Sequence, residues 1–589
     1  MASVPALLLC SALLLAPAHA ASAALPRHSA TAARSAPLPL ELLHDATAVA
    51  DDARPGSADL DGAGNALSAG DLAAAGWTPG ATVTVQGARL TWRRGAPGTP
   101  DHVRAAGQEV RVTGRGDALA FLAASTGGTA AGGTGAVTYA DGGRSAYALT
   151  APDWRLGSPV TRALALPHVQ TPGGRIDGQA RLYVVTVPVE PGREIAAVTL
   201  PDAPDLHVFA LSVRDTSAGW TGSWAASTSG QPAVGPWTDR TLRLVVHVSA
   251  GGPRVRLRFD NTFASAPVRL GGASVAVRSA GAAAASAPVP LSFDGGPGTD
   301  IAAGAQALSD PLDFPVAPGA DLLVSFHLPG TVAAVPLHGL AVQQSYLSGP
   351  GDHTADAEGT AYGTTLTTWP LLTGVDVEGG PGSVALLGDS ITDGNKSTVG
   401  ANRRWPDVLA ARLRRQSEVP SYGVLNHGIS GNRVLTDRYP GDGVSTVTNG
   451  VSALNRLDRD VFGQTSVRTV VVFEGINDLT TGATAEAVTA GLREIAERAR
   501  ARGVRVLGAT LPPCGGLAAC TPAVEAARTA VNVWIRDAGL FDAVLDVDRA
   551  LRDPAAPGRL LPAYDSGDHL HPGDAGYAAL ADAVDLSLL

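Results

Sequence analysis

The hydrophobic pattern of this 589-residue chain changes once, at about Ser383, and this change constrains the fold more than any other feature. Upstream, from about residue 45 to 380, short segments bounded by Gly, Pro, Asp and Asn alternate apolar with polar side chains. Residues 254–259 alternate arginine with apolar residues in this way. Such alternation is typical of strands with one face in water, and many short strands of this kind predict β-sandwiches.

Downstream of Ser383, continuous apolar runs alternate with segments of helical spacing. The runs are SVALLGDS, VLNHGIS, VRTVVVFEG, VRVLGATLP and AVLDVD, and the helical segments are RRWPDVLAARLRR, TAEAVTAGLREIAERARARG and TPAVEAARTAVNVWIRDAG. Continuous β-branched runs that alternate with helices favour a parallel sheet covered on both faces. We therefore expect one α/β domain with a five-stranded parallel sheet in this part of the chain.

These patterns, with composition shifts near residues 155 and 282, divide the chain into several units, as its length also suggests. We expect a signal peptide at 1–20, a spacer at 21–44, β-sandwich modules at 45–155 and 156–281, a β-rich extension at 282–380, and the α/β domain at 381–589. The fold class expected is thus a multidomain protein with β-sandwich modules followed by an α/β domain.

Residues 1–20, MASVPALLLCSALLLAPAHA, have the pattern of a signal peptide, although they contain no Lys or Arg. The apolar stretch from Ala6 to Ala16 is too short to span a bilayer, and residues 18–20 (AHA) fit a small-residue cleavage site. Cys10 lies inside the apolar run, which argues against a lipoprotein anchor. We expect a secreted protein without a stable membrane anchor.

Removal of this leader leaves two cysteines, Cys514 and Cys520, in the run PPCGGLAACTP. In an exported protein, two cysteines at this spacing favour a disulfide, and two unpaired thiols are the alternative. The spacing is not that of a CxxC redox or zinc site. We therefore expect no metal at these cysteines, and no cofactor.

Charge and motif content exclude several classes of function. The formal net charge is −10 and the basic residues form no long run, which disfavours nucleic-acid binding. The segment that begins at Gly388 is neither G-x-G-x-x-G nor a P-loop, so a nucleotide site is disfavoured. A G-x-S-x-G elbow does not occur in the sequence, which argues against the α/β-hydrolase fold.

Polar residues cluster after four of the five predicted parallel strands. The clusters are GDSITDG at 388–394, GISGN at 428–432, EGIND at 474–478 and YDSGDHLHP at 564–572. Active sites of open parallel sheets form at the carboxyl ends of the strands, so we expect these four loops to meet.

These loops contain the groups that nucleophilic catalysis needs. A serine such as Ser390 needs a base, which histidine supplies near neutral pH, and the histidine needs a carboxylate to fix its tautomer. Asp568 and His571 lie three residues apart on one loop. The backbone amides of Ser390 and Gly431 and the side-chain amide of Asn477 are candidate donors to an oxyanion.

At these residues the sequence resembles the SGNH, or GDSL-type, serine esterases and lipases, over about residues 383–589. The resemblance rests on Gly388-Asp389-Ser390, on Gly431, on GIND at 475–478 and on DHLH at 568–571, in order and each after its strand. The first block reads GDSI rather than GDSL, for which we expect only a packing change. The resemblance implies a three-layer α/β/α fold, and it implies these roles: Ser390 as nucleophile, His571 as base, Asp568 as its orienting carboxylate, and Ser390, Gly431 and Asn477 as the oxyanion hole.

Plainer roles are also open to the polar residues of these loops. Ser390 is a candidate helix cap, and His569 competes with His571 as the base. The D-x-x-H spacing and a helix predicted to open at Pro572 favour His571. We interpret four other polar residues of these loops as structural: Asp389, Asn432, His427 and Glu474. For Asn432 a contact with substrate is the alternative.

The resemblance implies a carboxylic ester hydrolase that forms an acyl-enzyme. We expect short-acyl esters as substrates, including acetyl groups on polysaccharides. One alternative is a lipase or lysophospholipase. An alternative of another class is a polysaccharide-binding protein with a non-catalytic α/β domain.

The upstream region raises the question of carbohydrate binding. Seven of the nine tryptophans precede residue 383, and exposed tryptophans on β-sandwiches can stack on sugar rings. Trp220 and Trp224 are the candidates, with core packing as the alternative. Residues 45–155 resemble ancillary β-domains of secreted actinobacterial enzymes in general pattern, and residues 282–380 resemble a β-rich extension found in some members of the esterase family.

Overall fold

The computed structural model describes residues 36–215 and 217–589. The predicted signal peptide at 1–20 and most of the predicted spacer lie outside the described residues. Residues 38–589 form one compact unit. Among the helices of the described ranges, none is both long enough and apolar enough to cross a membrane.

The first part of this unit is built mainly from strands, with one α-helix and short 3₁₀ helices at Leu40–Leu42, Pro55–Ser57 and Pro159–Thr161. The strands and the α-helix are β1 (Val49–Ala50), β2 (Leu67–Ser68), α1 (Ala69–Ala74), β3 (Thr82–Val85), β4 (Ala88–Thr91), β5 (Val103–Ala106), β6 (Glu109–Gly114), β7 (Ala118–Ser125), β8 (Ala131–Tyr139), β9 (Arg144–Ala151), β10 (Arg162–Thr171), β11 (Gly174–Pro188), β12 (Ile195–Thr199) and β13 (Asp202–Arg214). Two sheets, β10-β11-β7-β13-β5 and β6-β12-β8-β9, share one apolar core that contains Phe121, Tyr147 and Val198. They form the first sandwich.

A second sandwich follows. Its region contains β14 (Trp220–Ala225), β15 (Ala233–His247), β16 (Gly252–Asp260), β17 (Val268–Leu270), β18 (Gly272–Ala280), β19 (Ala283–Ala284), β20 (Val289–Pro290), β21 (Thr299–Ile301), β22 (Gln306–Leu308), β23 (Leu312–Val316), β24 (Asp321–Ala334), β25 (Leu337–His338), β26 (Ser345–Pro350), β27 (Thr364–Leu366), β28 (Trp369–Pro370) and β29 (Leu372–Glu378). One sheet has the order β14-β29-β16-β22-β3-β4 and the other β19-β18-β24-β15-β26-β27. Leu244, Leu257 and Phe326 lie in the core between them.

The sheets combine strands from different stretches of the chain. Thr84 of β3 pairs with Gln306 of β22, and Trp220 of β14 pairs with Glu378 of β29. Strands from the predicted segments 45–155, 156–281 and 282–380 therefore share one sheet. The boundaries near 155 and 282 remain predictions.

The alternation of residues 254–259 predicts that the arginine face of β16 lies in water. In the structure this face is largely covered. Arg258 is 8% exposed and donates to Gln464 and Thr465 of the C-terminal part of the chain, at 2.7 and 3.1 Å. Arg256 is paired with Asp376 at 3.0 Å. The reason is that this face of the second sandwich packs on the next domain, where Gln464 and Thr465 replace water at Arg258. Asp376, the partner of Arg256, lies on the neighbouring strand β29.

The remaining strands are β30 (Ser383–Gly388), β31 (Gly423–Gly428), β32 (Val467–Phe473), β33 (Arg505–Ala509), β34 (Ala543–Leu545), β35 (Arg552–Asp553) and β36 (Ala556–Leu560). The helices are α2 (Ser390–Asp393), α3 (Trp405–Arg415), α4 (Ala453–Leu457), α5 (Ile476–Leu479), α6 (Ala485–Arg500), α7 (Pro522–Asp537), α8 (Val547–Leu551) and α9 (Asp574–Asp582). Five of the strands form a parallel sheet in the order β31-β30-β32-β33-β34.

Helices cover both faces of this parallel sheet. Leu386 of β30 points to the face packed by Leu409 of α3 and Leu580 of α9, while Leu387 points to the face packed by Leu492 of α6. Successive strand residues thus enter two separate cores, as continuous apolar strands require. The predicted fold class, β-sandwich modules followed by an α/β/α domain with a five-stranded parallel sheet, is confirmed.

Candidate active site

Ser390 lies where β30 ends and is the first residue of α2. Asp389, rather than Ser390, caps this helix, because its carboxylate accepts a 2.9 Å hydrogen bond from the Ile391 N–H. The capping role considered for Ser390 is therefore taken by its neighbour. The Ser390 hydroxyl is left for other partners.

A continuous chain of hydrogen bonds runs from Ser390 through His571 to Asp568. Ser390 Oγ is 2.8 Å from His571 Nε2, and His571 Nδ1 is 2.8 Å from Asp568 Oδ2. The other carboxylate oxygen of Asp568 accepts from the backbone N–H groups of His571 and Leu570, at 2.8 and 3.1 Å. This arrangement lets the imidazole take the serine proton while the carboxylate holds its tautomer.

The surroundings of Asp568 keep it ionised. Burial alone raises the pKa of Asp568, but the hydrogen bonds from the N–H and the imidazole of His571 outweigh burial and lower this pKa overall. A negative charge therefore faces the His571 ring.

His569 belongs to a second Asp–His pair on the same loop. Its Nδ1 lies 2.7 Å from Asp565 Oδ2, and its side chain is 49% exposed. Within the described residues, the hydrogen bond to Ser390 comes from His571 and none comes from His569. The helix after this loop begins at Asp574, slightly later than the opening predicted at Pro572.

The loop after β31 holds the peptide between Ser430 and Gly431 in a fixed orientation. Asn449 donates a 2.6 Å hydrogen bond to the Ser430 carbonyl oxygen, and Asp393 Oδ2 accepts a 2.8 Å bond from the Ser430 N–H. In a trans peptide the N–H points opposite to the carbonyl, so the Gly431 N–H direction is set by the Asn449 bond. Gly431 has φ +76°, and a Cβ there would lie 2.7 Å from Asn449 Nδ2, which explains the glycine.

Asn477 lies beside the same loops. Its Nδ2 donates to the Asn432 carbonyl at 3.0 Å, and its distance to Asp389 Oδ2 is 3.4 Å. One amide hydrogen is thus used to join the loops that follow β31 and β32. The second makes only a long contact and is the one available to an oxyanion.

Asn432 itself is fully buried. Its Nδ2 donates to the carbonyl oxygens of Asn449 and Val451, and its Oδ1 accepts from Arg456. All its side-chain groups therefore have partners inside the protein. The structure supports the structural role for Asn432 over a substrate contact.

Buried acidic groups lie close to Ser390. Burial, followed by the nearby Asp478 and Asp393 carboxylates, raises the pKa of Asp389 to about 7. Burial and the neighbouring Asp389 also raise the pKa of Glu474 well above its usual range, although Glu474 Oε1 accepts from Arg456 at 3.2 Å. The loops of the site thus cover a cluster of carboxyl groups. Burial and their mutual proximity favour the protonated forms of Asp389 and Glu474.

His427, at the end of β31, is buried with its Nδ1 3.0 Å from the Ser227 hydroxyl. Burial lowers its pKa to about 3. It is therefore a neutral histidine near neutral pH. Its contacts agree with the structural role expected for it.

Sequence reasoning missed residues that orient the loops. Asp393 belongs to the GDSITDG cluster, so the sequence indicates that it lies near the site. Its contact with Ser430 depends on the fold and has no sequence signal. Asn449 lies in a segment without periodic pattern, and the sequence gives no signal for its bond to the Ser430 carbonyl.

The predicted disulfide between Cys514 and Cys520 is present, with a Cα–Cα distance of 5.7 Å. Cys514 is buried in a small apolar cluster with Ile476 of α5 and Leu570. Since Leu570 directly precedes His571, the disulfide loop packs against the loop that holds the histidine.

The upstream tryptophans are mainly core residues. Six are buried: Trp77, Trp92, Trp154, Trp224, Trp237 and Trp369. Trp224, one of the two sugar-binding candidates, packs edge-on against Trp369. Trp220 is partly exposed, and the Arg256 guanidinium lies 4.6 Å from its ring centre.

A cavity of about 840 Å³ lies next to Trp220, away from Ser390. Its lining includes Val467, the first residue of β32, and Val504, which precedes β33. It is therefore at the amino ends of the parallel strands. The candidate active site is at their carboxyl ends.

Comparison with known proteins identifies two regions. Residues 386–579 match the GDSL-like lipase/acylhydrolase family, and residues 34–217 match the AziU2-like beta-sandwich domain. A search of curated proteins found no match.

Similar solved structures are GDSL-type proteins that cover about a third of this chain. One is the lipase/acylhydrolase from Enterococcus faecalis (21% identity, 34% of this chain, 92% of that chain, TM-score 0.27). Another is a GDSL-like lipase from Bacteroides thetaiotaomicron VPI-5482 (18% identity, 35% of this chain, 87% of that chain, TM-score 0.26). A third is a member of the lipolytic protein G-D-S-L family from Veillonella parvula DSM 2008 (17% identity, 34% of this chain, 94% of that chain, TM-score 0.23). The family matches thus identify a GDSL-like lipase/acylhydrolase domain at residues 386–579, which follows an N-terminal β-sandwich domain.

Proposed function

We propose that the protein is a carboxylic ester hydrolase that forms an acyl-enzyme on Ser390 and prefers short acyl groups. The observation that carries this proposal is the hydrogen-bond chain from Ser390 through His571 to Asp568, with both links at 2.8 Å. A serine needs such a base to become nucleophilic, and the base needs such a carboxylate.

The reaction has two halves. In the first, Ser390 Oγ bonds to the ester carbonyl carbon while its proton passes to His571 Nε2. The tetrahedral intermediate then expels the alcohol, which takes this proton from His571. In the second half a water molecule attacks the acyl-enzyme, gives a proton to His571, and releases the acid as Ser390 recovers its hydrogen.

The oxyanion of each intermediate needs hydrogen-bond donors. Gly431 is suited to this role because its N–H direction is fixed by the bond from Asn449 to the Ser430 carbonyl. The backbone N–H of Ser390, at the start of α2, and the second amide hydrogen of Asn477 complete the proposed set. In the structure, the only contact of that hydrogen among the described residues is the long one to Asp389, with 3.4 Å between Asn477 Nδ2 and Asp389 Oδ2.

Hydrolysis of p-nitrophenyl acetate by the full chain and by Ser390→Ala tests the proposal. We expect an active wild type and a variant slower by roughly 10³-fold or more. Ser566→Ala is the matched control, because Ser566 is an exposed serine on the loop of His571. An inactive wild type, or a Ser390→Ala variant with full activity, would contradict the ester hydrolase and favour a binding protein with a non-catalytic domain.

An acyl-length series tests the substrate class. We expect kcat/KM to be highest for acetyl and to fall with longer p-nitrophenyl esters, and release of acetate from an acetylated polysaccharide panel would support the carbohydrate substrate. A maximum at long chains would favour the lipase or lysophospholipase alternative instead.

Secretion is also part of the proposal. It is supported by the leader sequence at 1–20 and by the disulfide of Cys514 and Cys520, since disulfides persist in oxidising compartments. Expression of the full chain in a secreting bacterial host, followed by N-terminal sequencing of protein from the medium, tests it. We expect the mature chain to begin at Ala21, and retention of the intact leader inside the cells would overturn the proposal.

Carbohydrate binding by the β-modules now depends on Trp220, because Trp224 is buried. Affinity electrophoresis of the full chain on several polysaccharides, beside Trp220→Ala, tests this binding. Retardation that the substitution abolishes would support it. Equal mobility of both proteins on every polysaccharide would remove its support.

A further inference from the structure

A buried His–Asp pair connects the second sandwich to the helix of the nucleophile. His338 of β25 places its Nε2 3.0 Å from Oδ1 of Asp393, the last residue of α2. Their side chains are 4% and 2% exposed. The contact therefore reaches from one domain into the loop cluster that contains Ser390.

The surroundings of His338 require hydrogens on both ring nitrogens. Nδ1 lies 2.9 Å from the Ser227 carbonyl oxygen, and Nε2 faces the Leu340 carbonyl as well as Asp393, each at 3.0 Å. Carbonyl and carboxylate oxygens accept hydrogen bonds, so an imidazolium satisfies every contact while a neutral ring leaves one nitrogen lone pair facing an oxygen. Burial alone lowers the pKa of His338, but the Asp393 carboxylate and these hydrogen bonds raise it overall.

Asp393 passes this constraint to the oxyanion loop. Its Oδ1 is held by His338, and its Oδ2 accepts the 2.8 Å hydrogen bond from the Ser430 N–H. The next peptide carries the Gly431 N–H. One carboxylate thus joins the helix of Ser390, the loop of Gly431 and the second sandwich.

We propose that His338 is a positioning residue of the esterase, which holds Asp393 so that the Gly431 N–H stays aligned with the Ser390 hydroxyl. The proposal rests on the ester hydrolase function proposed above. It gives the second sandwich a part in the reaction. Without His338, Asp393 loses its anchor in β25, and the bond from Asn449 to the Ser430 carbonyl is left to hold the Ser430–Gly431 peptide without a fixed Asp393 beside it.

A purely structural role accounts for the His338–Asp393 pair less well than a positioning role does. A buried ion pair costs desolvation energy, and well-packed apolar residues of similar volume are often as stable or more stable. The charge has a specific use here, because a carboxylate with two oriented oxygens fixes two partners at once. Displacement of a reacting group by about 1 Å can cost roughly a hundredfold in rate.

The test compares full-chain His338→Gln, His338→Ala and Asp393→Asn with wild type on p-nitrophenyl acetate. Active sites are counted in each sample by the end-point burst of p-nitrophenol from a p-nitrophenyl alkylphosphonate, which bonds to the serine. We expect kcat per titrated site to fall about ten- to hundredfold with KM within about twofold, since the oxyanion forms after substrate binds. We expect the double variant His338→Ala with Asp393→Asn to be no slower than the slower single variant, because both changes break one connection.

His247→Gln is the matched control. His247 of β15 also pairs with an aspartate, Asp321, at 2.8 Å, and Asn402 of the hydrolase domain contacts this pair at 3.0 Å. It thus joins the same two domains without contact to Ser430. We expect its kcat per titrated site to equal that of wild type.

The outcomes separate the two proposals. If all His338 and Asp393 variants keep the wild-type kcat per titrated site, the positioning role is wrong. The same holds if the variants differ from wild type only in having fewer titratable sites and a lower melting temperature, since His338 is then a structural residue. The same conclusion follows if His247→Gln slows kcat as much as the His338 variants. If wild type neither hydrolyses the ester nor gives a burst, the ester hydrolase function itself fails.

Discussion

Arg456 donates a 3.0 Å hydrogen bond from Nη2 to the carbonyl oxygen of Gly388, the residue at which β30 ends. Nη1 of the same guanidinium donates to the His427 carbonyl at the end of β31, at 2.7 Å, and to Asp460 at 3.0 Å. Arg456 is fully buried. It therefore ties the carboxyl ends of two adjacent strands from below the loops of the site.

Arg456→Met should destabilise the hydrolase domain by more than about 3 kcal/mol, because it removes buried hydrogen bonds to two strand-end carbonyls, to Asn432 and to Glu474. Among the described residues, it also leaves Asp460 paired with Arg459 alone. Chemical denaturation followed by tryptophan fluorescence measures the loss. Arg505→Met, at an exposed position of β33, is the control and should be near neutral. A loss of less than about 1 kcal/mol for Arg456→Met would show that the network is not needed for stability.

Asp568→Asn should lower kcat on p-nitrophenyl acetate by roughly 10³-fold or more, since the amide neither fixes the His571 tautomer nor stabilises the imidazolium. Asp565→Asn is the control, because Asp565 pairs with His569 on the same loop at 2.7 Å. We expect at most a few-fold effect there. Equal losses in both variants would mean that the loop, rather than the Asp568 charge, limits the rate.

Asp389→Asn should change how stability depends on pH. The pKa of Asp389 is raised from 3.8 to about 7, so the folded protein binds this proton more tightly than the unfolded chain does. The protonated Asp389 carboxyl therefore makes its full contribution to the stability of the wild type below about pH 4, and this contribution is lost as the pH rises towards 7. The asparagine does not titrate and still accepts the Ile391 N–H. The free energy of unfolding of the variant relative to wild type should therefore increase from pH 5 to pH 7.5.

The exposed Asp537→Asn at the end of α7 serves as the control for this pH experiment. It should show the same difference from wild type at both pH values. A difference between Asp389→Asn and wild type that is equally independent of pH would contradict the raised pKa.

Replacement of both Cys514 and Cys520 by serine should lower the stability of the hydrolase domain by about 2 kcal/mol, the loop-closure value for a short loop. Thermal unfolding by calorimetry measures the shift. Wild type incubated with a reducing agent should shift to the same temperature. An unchanged transition in both samples would show that the disulfide contributes nothing to stability.

The parallel sheet could be predicted because its signals are local. Val384, Leu386 and Leu387 are apolar without interruption, and α6 begins after Thr484, whose hydroxyl accepts from the Ala487 N–H as a cap should. Ser390 could be placed beside His571 and Asp568, which share one loop, because both loops come after predicted strands of the parallel sheet. The loops of a parallel sheet meet at one edge whatever their separation in sequence.

The contacts between domains could not be predicted in this way. The alternation of Arg254 to Phe259 identifies a strand but not what covers its arginine face, since water and Gln464 both satisfy a guanidinium. His338 likewise gives no periodic signal, and its partner Asp393 lies far along the chain. Pairings such as Thr84 with Gln306 depend on tertiary packing, which local patterns do not encode.

The pairing of β14 with β29 sets an order for synthesis on the ribosome. In the sheet, β14 is a terminal strand whose neighbour is β29, roughly 150 residues later in the chain. At about 5–20 residues per second, the nascent chain carries β14 for roughly 8 to 30 s before that neighbour is made. An unpaired strand is a template for wrong association, so the nascent chain is exposed to misassembly during this interval. The interval ends as β29 emerges and leads within a few residues into β30, so the sheet is completed just as translation reaches the strand that leads to the nucleophile.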